Sequence, residues 1–587
     1  MKKENKTVHL LEAAMKYLKQ MKQLTRYFKK DVEIETSIAS LAEVLNCSER
    51  HVKTIVNYLA ANHFIEWKTQ RGRGKKPRIR LLYNLQEIEL AEAKQFVELE
   101  KYQKAFGIVE NLDLAVQSTF QQWFTKRLGI NETNLLEKDK DILRYPFYET
   151  KLQMDPLFML SRHDVHMVQQ IFERLVEFNP STGTVMPRIA HHFASEEGKS
   201  WTFYLRKGVL FHHGRELTSE DVKATFTRFL SEENIIKNVE SIHCISDYVI
   251  EFNLKQANYL FPRYLASLKA SIIPMDVINQ NEAAFQNFPI GSGPYQLVRN
   301  DEELVSLDVF EKYYGLRPWL DRIEIIKAPS RFQLEQTHPI LLTAPNGSWK
   351  KVMSMEEGAD FITFNCRKEG PVKERDFRKI LYQVIDPKEF CLPEEKLAYS
   401  FLTKKPVQQQ VSIETETVRE AAYDGELVIA AQEIREGVNH EREARILKKQ
   451  LNNAGISARI ELVHAADFKK SQILEKYDLF VSGIALSEDR LLSAIATIQS
   501  PQVAIYPCLP DGMKDHINQE VIKMMRIQKE EERWISYFAI EDILVEQHML
   551  LFLNHRSHTV YESEDSEFMN IELDSNGRID YRKVWRR

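Results

Sequence analysis

Two short runs of aromatic and β-branched residues, Phe64-Ile65-Glu66-Trp67 and Ile79-Arg80-Leu81-Leu82, flank a Gly-Arg-Gly at 72–74. The composition of the runs predicts two strands and the glycines predict a sharp turn between them. Six cations, Arg71, Arg73, Lys75, Lys76, Arg78 and Arg80, crowd this hairpin. Unpaired charge cannot be buried cheaply, so the tip has to face water or a polyanion.

What precedes the hairpin narrows the choice. Residues 7–28 carry Leu10, Leu11, Ala14, Tyr17, Leu18, Met21 and Leu24 at three- and four-residue spacing, which predicts an amphipathic helix. A second helix, Ser37–Leu45, would bury Ile38, Leu41 and Leu45. Asn46-Cys47-Ser48 then makes a tight turn, with Ser48 placed to cap a third helix running to Asn62. At 100° per residue Val52, Ile55, Val56 and Leu59 share one face of that helix, and Arg50, Lys53, Thr54 and Asn57 share the other. Two helices, a tight turn and a cationic hairpin make a winged helix, an α+β head over residues 1–84. Its expected partner is double-stranded DNA, contacted by Ser48, Arg50, Lys53, Thr54 and Asn57 on the helix. Arg71, Arg73, Lys75 and Lys76 would contact it from the wing. A merely solvated polar face is the competing reading of the same residues.

Charge distribution agrees with a contact confined to one end. Residues 1–80 hold 18 Lys and Arg against 8 Asp and Glu, a net of +10, so the remainder carries −15 of the chain's total of −5. At 587 residues several domains are expected, and 43% hydrophobic with 28% charged residues is an ordinary globular composition. No run approaches the roughly 20 apolar residues a membrane span needs. Charges at Glu12, Lys16 and Lys19 break the only candidate secretory h-region, and Cys47, Cys244, Cys366, Cys391 and Cys508 are few, scattered and odd in number. The expectation is a cytoplasmic protein without a disulfide framework or zinc site.

Residues 85–140 read as a helical connector, with Leu85, Ile88, Ala91, Gln95, Leu99 and Tyr102 as one loose stripe. It is either a hairpin packed on its neighbours or an element of transmission or dimerisation. From about Asp141 the chain turns to short strands punctuated by Pro and Gly. Ordered blocks follow: Met154-Asp155-Pro156-Leu157, Ile171–Pro180, Val185–Ala190, Trp201–Gly214, Leu217–Lys223, Ile290-Gly291-Ser292-Gly293-Pro294-Tyr295, Ile362-Thr363-Phe364-Asn365 and Arg375–Asp386.

These blocks resemble the family-5 extracellular solute-binding proteins of ABC importers, over residues 141–560, with 561–587 left as a tail. A winged helix ahead of such a module resembles SgrR-type transcriptional regulators. The resemblance implies a multidomain chain: winged helix, helical connector and an α/β two-lobed module of the type II periplasmic-binding-protein kind. It also implies a small-molecule effector, a sugar, sugar phosphate or peptide, with Tyr295, Asn365 and Asp478 as candidate ligand-binding residues. In peptide-binding members a late acid receives the ligand amine, and its place here would fall on Glu488 or Asp489. The alternative is the receptor of an oligopeptide or nickel importer. A second copy of the chain is a further expected partner, since many helix-turn-helix proteins dimerise on palindromic sites.

No P-loop, dinucleotide fingerprint, Gly-x-Ser-x-Gly or His-Glu-x-x-His appears, so neither catalytic residues nor a cofactor are expected. His191-His192 and His212-His213 invite a metal, but neighbours on a strand point to opposite faces. No metal site is expected, and His212 reads as structural.

Overall fold

The computed structural model describes residues 16–69, 75–125, 127–130, 140–147, 152–159, 162–230, 238–329, 349–405, 423–435, 438–464, 467, 472–563, 568–569 and 580–586. They fall into two compact units: the described parts of Met1–Leu152, Leu297–Val309 and Trp319–Asn346, and those of Gln153–Gln296, Phe310–Pro318 and Gly347–Arg587.

The first unit begins with α1 (Leu18–Tyr27), β1 (Glu33–Glu35), α2 (Ile38–Leu45), α3 (Glu49–Ala61), β2 (Ile65–Lys68) and β3 (Arg78–Leu81). Local chemistry sets these limits. Ser37 caps α2 by accepting from the Ser40 amide, and Asn46 ends it in the left-handed region at φ 50°. Ser48 then caps α3 through the His51 amide. The sheet order is β1-β3-β2, all antiparallel, so β1 is a third strand that the hydrophobic pattern did not announce. Met21, Leu24, Leu41, Leu45, Val52, Ile55, Val56, Leu59, Ile79 and Leu81 form one closed core beneath it. The N-terminal half of the expected 7–28 helix lies outside the described residues.

The connector forms three helices, α4 (Leu85–Glu98), α5 (Tyr102–Val109) and α6 (Leu114–Thr125). A reciprocal capping box between Asn84 and Glu87 starts α4. The expected stripe does not form: α4 buries Ile88, Ala93 and Val97, whereas Leu99 is 51% exposed. The reason is that α4 packs against two different neighbours along its length, so no single face is the inner one. Two strands follow, β4 (Gly129–Ile130) and β5 (Ile142–Phe147). They join a five-stranded sheet ordered Tyr295–Asn300, Leu304–Val309, Arg322–Lys327, β5, β4, with β5 parallel to Arg322–Lys327. Leu304, Ile326 and Ala328 of this sheet share a core with Ala93, Val97, Tyr102, Phe106, Phe120 and Phe124.

The second unit holds a four-stranded antiparallel sheet ordered Val239–Ser246, Val249–Leu254, Ser200–Leu205, Ala190–Glu196. Trp201, Phe203 and Leu205 alternate into its core against Thr202 and Tyr204, as the period-2 pattern requires. A mixed sheet carries the rest in the order Val438–Asn439, Leu427–Arg435, Leu479–Ala485, Gly358–Phe364, Leu550–Phe552, with Ala458–His464 pairing in parallel on Leu427–Arg435. The chain enters and leaves this part along one antiparallel ribbon, Trp349–Met355 against Ser557–Ser563.

One expectation needs correcting. His191 and His192 are both exposed, because the strand has an irregularity between Ala190 and His192 that breaks the alternation. Gly291 and Gly293, by contrast, are glycines without a positive φ. Their role is space: a Cβ would lie 2.1 Å from the Ile171 carbonyl oxygen at Gly291 and 2.6 Å from the Ile171 carbonyl carbon at Gly293.

His212 clamps that approach, accepting from the Gly291 amide at Nδ1 (3.2 Å) and meeting the Gly293 carbonyl at Nε2 (3.1 Å). Burial pushes its pKa down to about 4, against a weaker opposing pull from the Gly293 carbonyl. An imidazole that resists protonation in the folded state stabilises the fold fully above its unfolded pKa near 6.5, and this contribution is lost as pH falls toward 4. At most about 3 kcal/mol is involved. Urea denaturation should therefore show stability falling from pH 7 to pH 4.5, with a smaller fall in His212→Gln. An equal fall in both would assign the pH dependence elsewhere.

Candidate nucleic-acid interface and the polar core of the second unit

On α3 the two faces separate as predicted: Val52, Ile55, Val56 and Leu59 are buried, while Arg50, Lys53, Thr54 and Asn57 are exposed. Ser48 is exposed at the cap of the same helix. The Thr54 hydroxyl donates to the Arg50 carbonyl at 3.3 Å, the ordinary resting place of a helical threonine. One helix thus offers a guanidinium, an ammonium, a hydroxyl and a carboxamide on one side, which together can bond phosphates and base edges.

Of the wing cations, Lys75 and Lys76 are exposed, and Arg71 and Arg73 lie outside the described residues. Arg78 and Arg80 do something else. The sheet puts Glu35 opposite Arg78 and both Glu33 and Glu66 opposite Arg80. Arg78 donates to Glu35 at 3.0 Å, Arg80 to Glu66, and Lys68 to Glu33 at 2.9 Å. The hydrogen bond from Lys68 holds the Glu33 carboxyl below its usual range, and that from Arg80 does the same for Glu66. Arg80 with Glu66 ties the two hairpin strands together, and Arg78 with Glu35 ties β1 to β3. Sequence reasoning missed the Arg78–Glu35 pair because it needs β1, which lies 43 residues earlier in the chain.

The expected ligand residues are all buried. Tyr295 is fully buried, with its hydroxyl 3.5 Å from the Tyr581 carbonyl. Asn365 donates to the Leu474 and Tyr477 carbonyls (2.7 and 2.8 Å) and accepts from the Arg367 amide. Asp478 pairs with Lys368 at 2.7 Å and accepts from the Val428 amide at 2.8 Å. Asn365 and Asp478 therefore tie loops to the mixed sheet and spend their polar atoms within the protein. Asp489 is likewise taken: it caps the helix Arg490–Gln499 and holds Arg263 at 2.5 and 2.6 Å.

Sequence reasoning missed a different polar group. Asp360, 2% exposed, receives Arg556 through Nε and Nη2 at 2.9 Å each. The Arg556 Nη2 also lies 3.1 Å from Nδ1 of His440, which is fully buried and whose Nε2 has no hydrogen-bond partner. Burial outweighs Arg556 and pushes Asp360 up to about 6, while burial and then Arg556 push His440 down to about 3. Opposite Asp360 stands Gly483, where a Cβ would lie 2.0 Å from the Asp360 Oδ1, so only glycine leaves room for the cluster. Beside it opens a cavity of about 70 Å³ lined by Glu356, Gly358, Asp360, Gly483 and Arg556 among others. Its members come from strands and loops far apart in the chain, which left no local signal.

Head and body together define a class: a winged helix joined to a two-lobed α/β solute-binding fold. Residues 16–130 match the family described as the sugar transport-related sRNA regulator N-terminal domain, and residues 184–392 match the middle domain of bacterial extracellular solute-binding proteins, family 5. The chain thus carries one segment similar to each of these two families, in that order. It is 30% identical over 355 residues to the HTH-type transcriptional regulator SgrR of Yersinia enterocolitica, an alignment covering 60% of this chain and 62% of that one. It is 25% identical over 570 residues to the protein YhjP of Bacillus subtilis, covering 94% of this chain and 96% of that one. Among solved structures, HbpA2 of Haemophilus parasuis superposes with a TM-score of 0.62 at 18% identity, over 76% of this chain and all of that one. That likeness shows the fold of the body. Among the described residues no helix is long and apolar enough to cross a membrane.

Proposed function

We propose that the chain is a cytoplasmic, ligand-responsive transcriptional regulator. In this reading α3 enters the major groove of double-stranded DNA, the wing tip lies along phosphates, and the body holds a sugar, sugar phosphate or peptide. The segments 1–84, 85–140, 141–560 and 561–587 serve as head, connector, solute-binding module and tail. The observation that carries the proposal is the polar face of α3, capped at Ser48 and set on a closed core, in a domain related to a regulator's N-terminal domain. The same head weighs against an importer receptor, which has no use for a cationic hairpin. No catalytic role is proposed for any residue, and a homodimer on a palindromic operator fits the reading.

Regulation requires the solute to bind the DNA-competent and incompetent states with different affinity. The DNA half of the proposal is tested by titrating the full chain with its operator and with a scrambled duplex. Asn57→Ala should narrow the ratio between the two by about 1–3 kcal/mol, while Arg73→Ala should weaken both alike. Unchanged discrimination in Asn57→Ala would remove α3 from base readout.

A further inference from the structure

α4 belongs to two hydrophobic cores at once. Near its start Ile88 closes the core of the head with Met21, Leu24, Ile79 and Leu81. Ion pairs reinforce that contact: Lys22 with Glu92 at 2.6 Å and Glu89 at 3.4 Å, and Lys30 with Glu87 at 2.6 Å. One turn further on, Ala93 and Val97 enter the second core, which includes Leu304 and Ile326 of the five-stranded sheet. The 14 residues of α4 contain no glycine or proline, so nothing in the helix allows a bend.

The joint between α4 and α5 is fastened as well. Glu100, in the left-handed region at φ 55°, pairs with Arg299 at 2.6 Å. Gln103 makes three hydrogen bonds: its amide to the Glu303 carboxylate (2.8 Å), and its Nε2 to the Lys327 (2.8 Å) and Glu302 (3.2 Å) carbonyls. Lys327 in turn donates to Asn300 Oδ1 at 3.4 Å and to the Asp301 carbonyl. The joint therefore grips both the 300–303 turn and the end of the neighbouring strand. A flexible tether would show none of this.

We propose that α4 is a rigid lever. It carries displacement of the strands Tyr295–Asn300 and Leu304–Val309 directly into the head, with Gln103 and the 300–303 turn as its fulcrum. The lever gives the solute-responsive reading its physical link, and rests on that reading for its purpose.

The test uses trypsin on the full chain, because Lys101 and Lys104 are exposed within the joint. If the joint is rigid, cleavage there must wait for local opening and is slow. The triple variant Lys22→Ala, Glu100→Ala, Gln103→Ala removes exposed or partly exposed contacts outside the proposed DNA-binding face. It should release the head at least about 10-fold faster, corresponding to about 1.4 kcal/mol of lost closure. Wild-type affinity for a duplex in that variant would show that its head remains folded. Equal, rapid release of the head from wild type and variant would overturn the lever. A slow wild type and fast variant that both fail to bind DNA would leave the lever standing and sink the regulator reading instead.

Discussion

Arg263→Ala is expected to destabilise the body by about 3–5 kcal/mol, read as a lower urea midpoint of the tryptophan-emission transition. Arg263 is 4% exposed, and its guanidinium grips Asp489 with two bonds of 2.5 and 2.6 Å and Glu530 with two of 2.7 and 2.9 Å. It also lies 4.5 Å from the Phe178 ring centroid. Removing it leaves Asp489, whose side chain is 13% exposed, charged and without its guanidinium partner. The desolvation cost already met by the pair is then no longer offset. Glu530, 30% exposed, can turn to water and keeps Arg533 at 3.0 Å, so it adds less to the loss.

The site is also a joint. Leu260, one turn earlier, is buried with Phe361, Phe401 and Leu550, whereas Phe261 is buried with Trp201 and Phe252. Adjacent residues thus anchor in the cores of two different sheets. The double variant Arg263→Leu, Asp489→Asn removes both charges and keeps a residue type that caps helices well, so it should recover more than half of the loss. A loss below about 1 kcal/mol in Arg263→Ala would mean the pair behaves as a solvated surface bridge.

Much of the head was legible in the sequence. The spacing of Val52, Ile55, Val56 and Leu59 defines one face of a helix wherever that helix sits, and Ser48 marks its start, because both signals act within one or two turns. The strands Ile65–Lys68 and Arg78–Leu81 followed from the same local logic. What the sequence hid is pairing at a distance. Arg78 looked like a free wing cation until β1 brought Glu35 beside it, and Arg80 until the strand register set Glu66 opposite it. The stripe on α4 was misread because the helix turns from one core to another near Ala93, which no single periodicity describes.

The body shows the same limit more sharply. Family blocks placed its strands, but they could not show that the polar side chains of Asn365 and Asp478 bond to backbone groups within the fold. The cluster of Asp360, His440, Gly483 and Arg556 is assembled from segments up to 196 residues apart, and only the sheet register brings them together.

The second large effect concerns the wing. Replacing Arg71, Arg73, Lys75 and Lys76 together by alanine should weaken duplex binding at 0.1 M salt by roughly 10³–10⁴-fold. Each phosphate contact releases condensed counterions and contributes about 0.9 to the slope of log K against log salt, so four contacts contribute about 3.6. Extrapolated from 1 M, where that contribution vanishes, the difference at 0.1 M is about 10³·⁶. Arg78 and Arg80 are left in place because their partners are Glu35 and Glu66, and removing them would disturb the hairpin rather than count contacts. Fold integrity of the quadruple variant is checked by its unchanged melting, since Lys75 and Lys76 are exposed.

The measurement is a fluorescence titration of one labelled duplex with wild type and quadruple variant between 0.05 and 0.5 M salt (range chosen to span about a decade of ionic strength). A head that works on DNA gives two lines whose slopes differ by about 3–4, with the wild type steeper. Parallel lines, or a wild type whose binding ignores salt, would contradict the assignment of this hairpin to nucleic acid.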